Sequence, residues 1–299
     1  MRKIKEKNKN SKIFNILGFA IIVFHLLLIF LPCLWGIAQT FKTRINWMED
    51  RVGFPTEMGF HNYELFFEYF YVDIIRDGII PDKVFFEKAV LYTVLYAGGV
   101  AVTSFVVQFI TAYALYKHRH FKASKFIYAM LIIMMNLPLA GSGASELALY
   151  HQLGLYDNLY AMWFLKAHPL GFFLLVFYAT FSSIPNATYE AAEIDGASRL
   201  QIMIKIALPL IKGTVLLFLL TSFIGSWNNY VDVLYVMPNY PTVGYALYKF
   251  NLTNNPPEIA HPTVKLTGAF ICAVPMILIL IFFGDKLMQN VSISGGVKG

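Results

Sequence analysis

One polar segment of this 299-residue chain has residue types and a spacing suited to docking rather than to catalysis. Residues 190–209 read EAAEIDGASRLQIMIKIALP, in which an acidic residue and two alanines are followed after three residues by a glycine. Nine residues later comes a short apolar run that ends in proline. The positions of this pattern are Glu190, Ala191, Ala192, Gly196, Ile206, Ala207, Leu208 and Pro209. Because the segment lies between two long apolar windows, it predicts a loop that can bind a soluble partner.

No arrangement of catalytic residues accompanies this segment. The chain has no G-x-x-x-x-G-K-[ST] phosphate loop, so we expect that it does not hydrolyse ATP itself. It also has no His, Cys or carboxylate spacing that suits a catalytic metal. The sequence GSGAS at 141–145, with His151 nearby, superficially resembles a serine-protease turn. Small residues at a helix end more often permit close helix packing, so we expect no enzyme activity.

The composition places the docking segment in a membrane protein. Hydrophobic residues make up 57% of the chain and charged residues 14%, against about 25% charged in soluble domains. Six stretches of 19 or more residues contain no Lys, Arg, Asp or Glu, and about 20 helical residues cross a bilayer core. The predicted fold is therefore all-α with six transmembrane helices. The predicted spans are about 13–40, 89–116, 126–146, 160–183, 211–232 and 265–285.

Charge placement predicts the orientation of this transmembrane domain, 13–288. Six spans put both termini on one side. That side carries 15 of the 24 Lys and Arg residues and 5 of the 18 acidic residues. Since basic residues are retained in the cytoplasm, the N-terminus 1–12, the loop 184–210 and the tail 289–299 are predicted to be cytoplasmic. We interpret the net charge of +6 as membrane asymmetry and expect no nucleic-acid partner.

The loop 184–210 has local signals for two short helices. The residues around Glu190 favour a helix that Gly196 can end in a left-handed conformation. Ser198 is a reasonable N-cap for a second segment, 199–207, which is predicted to stop at Pro209. The apolar ridge predicted for it consists of Leu200, Ile202, Met203, Ile206 and Ala207. Such a helix can lie on the membrane, pack beneath the bundle or insert into a partner's groove.

Longer connections are predicted on the opposite side. Segment 42–88 is rich in aromatic residues and predicts short helices against the bundle or at the interface. Segment 146–166 is expected to form a short outer element. The loop 236–264 contains five prolines, which favour a stiff, irregular and protruding connection. The tail 292–299 is small and rich in glycine, and is expected to be flexible.

The pattern of the docking segment resembles that of a known family at every fixed position. Its E-A-A, three-residue, G, nine-residue, I-x-L-P spacing is similar to the cytoplasmic loop of ABC-importer permeases. DGAS at 195–198, the long first outer loop, residues 226–250 and the terminal GGVKG resemble the carbohydrate-importer branch. Within that branch, the chain looks most like the smaller maltose-type inner-membrane permease.

The resemblance implies a type I importer in the bacterial plasma membrane. Its parts would be two permeases, usually a heterodimer, two cytoplasmic ATPase subunits that hold ATP and Mg, and an extracytoplasmic solute-binding protein. This chain would need no cofactor of its own. Glu190 would pair with a basic partner residue, and 292–299 would reach toward the ATPase dimer interface. The ATPase-coupling residues implied are Glu190, Ala191, Ala192, Asp195, Gly196, Ala197, Ile206, Leu208 and Pro209.

Solute recognition is less accessible from the sequence. The loop 238–262 would touch the binding protein, with contacts expected at Pro238, Asn239, Tyr240 and Pro241. Sugar sites use aromatic faces and hydrogen-bonding side chains, and the candidates near mid-membrane are Tyr92, Asn136, Trp227, Asn228 and Asn229. Two alternatives stay open: the same scaffold carrying a non-sugar solute, and a membrane-embedded enzyme or channel.

Overall fold

Helices make up most of this protein, whose computed structural model describes residues 2–75, 81–137, 143–254 and 256–294. Side chains are described from Phe14 to Gly284 within those ranges. The first elements are α1 Arg2–Thr40, α2 Arg44–Glu49, α3 His61–Tyr69, β1 Tyr71–Ile74 and β2 Asp82–Phe85. The next are α4 Phe86–Lys117, α5 Lys122–Asn136, α6 Gly143–Gln152, α7 Leu159–Leu165 and α8 Phe172–Ser183.

The remaining elements begin with the loop that connects α8 to the next long helix. They are α9 Asn186–Ile194, α10 Arg199–Gln201, a π-helical segment Ile202–Ala207, α11 Leu208–Leu210 and α12 Lys212–Trp227. The last are α13 Val231–Tyr235, α14 Val243–Leu252 and α15 Pro262–Ser294. The chain divides into two compact units, residues 1–69 with 250–271, and residues 70–249 with 272–299.

Three helices of the described chain are long and apolar enough to cross a membrane: Phe14–Thr40 of α1, α4, and Pro262–Gly284 of α15. A fourth span is possible by the same criteria if Arg199–Leu210 and Lys212–Trp227, which meet at 79°, act as one. The stretch predicted as a span at 160–183 contains α7 and α8, with 166–171 between them. Pro169 lies in that break, and a proline disfavours helix at the residue before it. The stretch 126–146 overlaps the 15-residue α5, which begins earlier at Lys122, and includes the start of α6, with 138–142 outside the described residues.

The first unit is built around the end of α1. The amide of Asn62 on α3 donates to the backbone oxygens of Thr40 and Lys42, at 2.7 and 2.9 Å. The Lys42 side chain is fully buried, and its ammonium donates to the backbone oxygens of Asp50 and Gly53. A buried cation that lacks a carboxylate partner needs such acceptors, so these bonds fix the chain that leaves α1.

The outer segment 42–88 forms the predicted short helices α2 and α3, and it also forms a hairpin that the sequence analysis did not predict. Strands β1 and β2 pair antiparallel, with Tyr71 opposite Phe85 and Ile74 opposite Asp82. The loop 236–264 is also more regular than predicted, because α14 occupies its centre. Its prolines flank that helix rather than interrupt it, and a flanking proline does not break helical hydrogen bonds.

The second unit has its core where α4 packs against α8 and α12. Phenylalanine rings from the three helices meet there in edge-to-face and tilted pairs: Phe109 with Phe181 at 5.5 Å, and Phe177 with Phe218 at 5.6 Å. These rings belong to one buried cluster that continues into the loop 184–210. Aromatic pairs of this geometry add to the stability of burial itself, so this core is a firm base for the loop.

Candidate functional site

The helix α9 carries the acidic residue and alanines of the docking segment and ends as the sequence predicts. Gly196 has φ +77°, a left-handed conformation that favours glycine. The Gly196 N–H donates to the oxygen of Glu193, and the Ala197 N–H donates to that of Ala192, at 3.1 and 3.0 Å. These bonds satisfy carbonyls at the end of α9 and turn the chain sharply.

Ser198 caps the second segment as predicted, and Gln201 is an additional partner in the cap. The Ser198 hydroxyl accepts from the backbone N–H of Gln201 at 3.3 Å. In return, the Gln201 side-chain oxygen accepts from the backbone N–H of Ser198 at 2.8 Å. This reciprocal pair is a capping box, and its S-x-x-Q pattern was readable in the sequence.

The prediction that the second segment stops at Pro209 is wrong. The chain stays helical through Leu210, because Ile202–Ala207 adopts π-helical hydrogen bonding. The N–H of Leu208 donates to the oxygen of Met203, five residues back. A proline has no N–H to donate, so a wider turn before it lets the helix pass without a clash. The direction changes after Ile211, where α12 starts at 79° to this segment.

The inner face of the loop packs into the aromatic core. Tyr189 and Ala192 of α9, and Ile202 and Ala207 of the π-helical segment, are buried in the cluster that includes Phe181. The predicted apolar ridge is therefore divided. Met203 and Ile206 pack against the cluster with Ile202 and Ala207, whereas Leu200 is 60% exposed. Burial of these side chains fixes the loop to the helices above it.

The outer face of the loop combines acidic and apolar side chains. Ile194 is 85% exposed, and Leu200 and Ile204 are also exposed. Of the nine residues implied for coupling, five are exposed, three are half-buried and Ala192 is buried. The exposed five are Glu190, Ala191, Asp195, Gly196 and Pro209, and the half-buried three are Ala197, Ile206 and Leu208. Of the three exposed apolar residues, the sequence prediction placed Leu200 in the apolar ridge but included neither Ile194 nor Ile204, although exposed apolar groups beside charges are typical of docking surfaces.

Polar contacts tie α9 to the end of α4. The Lys117 ammonium forms an ion pair with the carboxylate of Glu193. The hydrogen bond from Lys117, and then its charge, hold the pKa of Glu193 below its usual range. At the start of α9, the side-chain oxygen of Asn186 accepts from the Tyr116 hydroxyl at 3.3 Å and from Arg119 at 3.2 Å. Glu190 has no ion pair among the described residues, so its charge is available to a partner.

The segment expected to touch a binding protein is held by one aspartate. Asp157, in a left-handed conformation with φ +54°, accepts from the backbone and side-chain nitrogens of Asn239 at 3.0 and 2.6 Å. The ring of Tyr240 packs edge-on against Tyr92 at 5.4 Å. Pro238, Asn239 and Tyr240 are half-exposed and Pro241 is buried, so a partner can reach the first three.

The residues proposed from the sequence as solute contacts do not converge. Tyr92 and Trp227 are buried. The amides of Asn136 and Asn228 donate to the oxygens of residues one turn back in their own helices. The amide of Asn229 donates to the carboxylate of Asp232 at 2.7 Å. None of the five lines either of the two cavities described below, because packing and local hydrogen bonds already use them.

Asp232 is the centre of a polar cluster that the sequence analysis did not find. Its carboxylate accepts from Tyr96 on α4 at 2.6 Å and from Lys166 at 2.8 Å, besides Asn229. Asp232 also lines a cavity of about 420 Å³ between α6 and α13, together with Glu146. The signal was present: Asp232 and Lys166 each border a charge-free window, where a charge needs a partner.

Comparison with known proteins decides the family. The profile described as "Binding-protein-dependent transport system inner membrane component" matches residues 104–292, which hold the loop and the helices around it. The chain belongs to this family of transport components.

Relatives of this transport component carry related names. A probable ABC transporter permease protein of Pyrococcus horikoshii is 26% identical over 60% of this chain, which spans only 64% of that relative. The melibiose/raffinose/stachyose import permease protein MelC of Bacillus subtilis is 24% identical over 98% of this chain and 99% of its own length. The transport component is therefore similar to a named sugar permease along nearly all of its length.

A solved structure shares the fold. It is a chain of a bacterial ABC transporter involved in the import of the acidic polysaccharide alginate. The likeness covers 93% of this transport component and 97% of that chain, with a TM-score of 0.73 and 22% identity. The family resemblance predicted from the sequence is thus confirmed by the family profile, and the fold is shared with a chain of an ABC importer.

Proposed function

We propose that this protein is a membrane-spanning subunit of an ATP-driven carbohydrate importer. It crosses the bacterial plasma membrane six times, at the spans given above, and both termini are cytoplasmic. The observation that carries the proposal is the two-faced loop at 190–209. Its inner face packs into the aromatic core, whereas its outer face exposes the carboxylate of Glu190 and the apolar side chains of Ile194 and Leu200.

Separate ATPase subunits bind the outer face of this loop. They hold ATP and Mg, and Glu190 pairs with one of their basic residues. The exposed side chains of Ile194, Leu200 and Ile204 form the apolar part of this interface. Burial of their surface against the ATPase contributes most of the binding free energy. ATP drives closure of the ATPase dimer, and this closure then moves the bound loop.

That motion reaches the membrane through the contacts of the loop. The Lys117–Glu193 pair joins α9 to α4, and the buried Ile202 and Ala207 join the π-helical segment to the core. A firmly packed loop moves its neighbours as a body, and a change in its position favours one of two arrangements of the helices. The result is alternating access, in which the solute path opens outward and then inward.

The remaining partners bind elsewhere. A second permease completes the path, and an extracytoplasmic solute-binding protein contacts the segment Pro238–Pro241. The tail 292–299 extends toward the ATPase dimer interface. Residues 292–294, predicted to be flexible, form the end of α15, and residues 295–299 lie outside the described residues. A carbohydrate substrate is supported by the near full-length similarity to the MelC permease and by the shared fold with the alginate importer chain.

The decisive experiment tests the loop. Glu190→Lys reverses the exposed charge, and Gly196→Pro cannot adopt φ +77°. Both variants should insert into the membrane in normal amounts, lose co-purifying ATPase and abolish sugar uptake in cells that express the complete complex. Glu49→Lys, an exposed charge reversal on α2, should leave both readouts unchanged. Normal uptake and ATPase binding by Glu190→Lys and Gly196→Pro would overturn the proposal.

A further inference from the structure

A second cavity, of about 350 Å³, lies among α4, α8 and α12. Its polar lining includes Ser104, Gln108, Lys166, His168 and Thr221. Ser104 and Gln108 lie in the second half of α4, and Thr221 lies near the middle of α12, so the cavity is at membrane depth if these helices cross the bilayer. Ionisable side chains such as Lys166 and His168 almost always face the bundle interior or a water-filled cavity rather than lipid.

Gln108 is the exceptional member of this lining. Its side chain is 7% exposed, and its carbonyl oxygen has no hydrogen-bond partner in the described structure. The amide packs against Gly171, where a Cβ atom would lie 2.8 Å from either of its polar atoms. A buried acceptor without a donor is destabilising, so we expect water, or a ligand that displaces it, to supply the missing donor from the cavity.

The charge of the cavity indicates the class of that ligand. Lys166 lines the cavity, and its ammonium is paired with Asp232 at 2.8 Å. Among the described lining residues, His168 is then the only other titratable group. The cavity therefore offers no unpaired lysine or arginine for the carboxylate of an acidic sugar.

The other lining groups suit a sugar ring. The Ser104 and Thr221 hydroxyls donate to the backbone oxygens of Lys166 and Leu217, so their own lone pairs remain free to accept. Phe173 and Phe218 line the same cavity, with their rings edge-to-face at 5.0 Å. Acceptors for hydroxyl groups beside aromatic rings match the two kinds of surface that a saccharide presents.

We propose that this cavity is a solute site at membrane depth, in which the side-chain oxygen of Gln108 accepts a hydrogen bond from a hydroxyl group of an uncharged saccharide. The site rests on the proposed function of the protein, and it replaces the five contacts that the sequence suggested. Gly171 has a positioning role, because any larger residue displaces the Gln108 amide.

The test compares three variants in cells that express the complete complex. Gln108→Met keeps the side-chain length and removes the acceptor, and Gly171→Ala keeps the acceptor and displaces it. Val102→Met, on the exposed side of α4, is the control. The probes are radiolabelled raffinose, maltotriose, galactotriose, arabinotriose and a mannuronate trisaccharide. For a neutral probe, Gln108→Met and Gly171→Ala should lower the maximal uptake rate about tenfold per assembled complex, with unchanged binding-protein affinity.

A second measurement does not depend on the identity of the sugar. In a background that lacks Cys33 and Cys272, Gln108→Cys should react with a small water-soluble maleimide, and the transported sugar should protect it. Val102→Cys should react slowly with or without sugar.

The outcomes separate this inference from the proposed function. Uptake of a neutral probe that is unchanged in Gln108→Met, or a Gln108→Cys thiol that sugar does not protect, overturns the site and leaves the importer intact. Uptake of the mannuronate probe alone overturns the choice of an uncharged ligand. Uptake of none of the probes by the unmodified complex overturns the carbohydrate function itself.

Discussion

Asp232 is the residue on which the most distant parts of the second unit depend. Its carboxylate joins α4 through Tyr96, the segment after α7 through Lys166, and its own turn through Asn229. Only 13% of its side chain is exposed, so these donors replace water. One acidic side chain therefore holds together α4, the segment after α7 and the turn before α13. Asp232 lines one cavity, and its partner Lys166 lines the other.

Asp232→Asn should lower the stability of the detergent-solubilised complex by about 1–3 kcal/mol, since it leaves a half-buried lysine without its counter-charge. The measurement is the midpoint of thermal unfolding. The double variant Lys166→Gln/Asp232→Asn should lose less than the sum of the two single variants, because the unpaired charge is gone. Equal midpoints for Asp232→Asn and the unmodified complex would show that the cluster does not stabilise the fold.

His261 makes the stability of the first unit sensitive to pH. Its ring packs edge-on against Trp47 at 4.9 Å, and its Nδ1 shares a hydrogen bond with Thr263 at 2.8 Å. Burial, and then the charge of Arg44, lower the pKa of His261 from its usual 6.5. The folded protein therefore binds fewer protons here than the unfolded chain, and stability falls as the pH drops below the ordinary histidine value.

Acidification from about pH 7.5 to about pH 5.5 should lower the unfolding midpoint of the unmodified complex more than that of His261→Gln. The reason is that the glutamine has no proton to gain in the unfolded state. The readout is differential scanning fluorimetry at the two pH values. Identical pH responses in the two proteins would contradict this role for His261.

At the scale of elements, α4 and α9 form the connection between the docking loop and the membrane helices. The Lys117–Glu193 pair lies at the last turn of α4, where a lysine also complements the helix dipole. Both side chains are partly exposed, so the pair contributes more to alignment than to stability.

Glu193→Lys should reduce sugar uptake about two- to fivefold relative to ATP hydrolysis, because like charges push α9 away from α4. The swapped pair Lys117→Glu/Glu193→Lys should recover most of the lost uptake. The measurement is the ratio of transported sugar to released phosphate in the assembled importer. If the swapped pair is as defective as Glu193→Lys alone, the two residues do not act through their mutual attraction.

At the scale of the whole molecule, orientation is the property most open to a direct test. In a background free of native cysteines, Glu49→Cys and Asp195→Cys introduce thiols at exposed positions. The proposed topology places these two thiols on opposite sides of the membrane. A membrane-impermeant maleimide should label Glu49→Cys in intact cells and Asp195→Cys only after permeabilisation, since basic loops stay in the cytoplasm. Labelling of Asp195→Cys in intact cells would contradict both the orientation and the docking function.

The sequence predicted the glycine turn and the helix N-cap of the loop because both depend on residues that are close along the chain. The left-handed Gly196 and the Ser198 cap each follow from residue type within one turn. The passage of the helix through Pro209 was not predicted, because proline is usually a helix stop and the π-helical segment that accommodates it has no simple signature.

The polar clusters could not be predicted for a different reason. Gln108 and Gly171 are 63 positions apart, and Tyr96 and Asp232 are 136 apart, so only the packing of α4 against later segments brings them together. Side chains such as Asn136 and Trp227 have the right chemistry for a sugar site, but local bonds and burial already use them. Chemical type alone does not distinguish a binding residue from a packing residue.

The first helix shows how unevenly the chain should tolerate change. Within the apolar part of α1, Phe14–Thr40, the most apolar 18-residue window has none of its residues buried inside the protein. Exchange of one apolar side chain for another along that window should therefore have little effect on folding, provided that the mean hydropathy of the window is kept. The exception is Gly36, near the end of α1. A Cβ atom at this position would lie only 3.0 Å from the ring of Phe270. A saturation mutagenesis map of α1 should be nearly flat up to that glycine and then rise steeply.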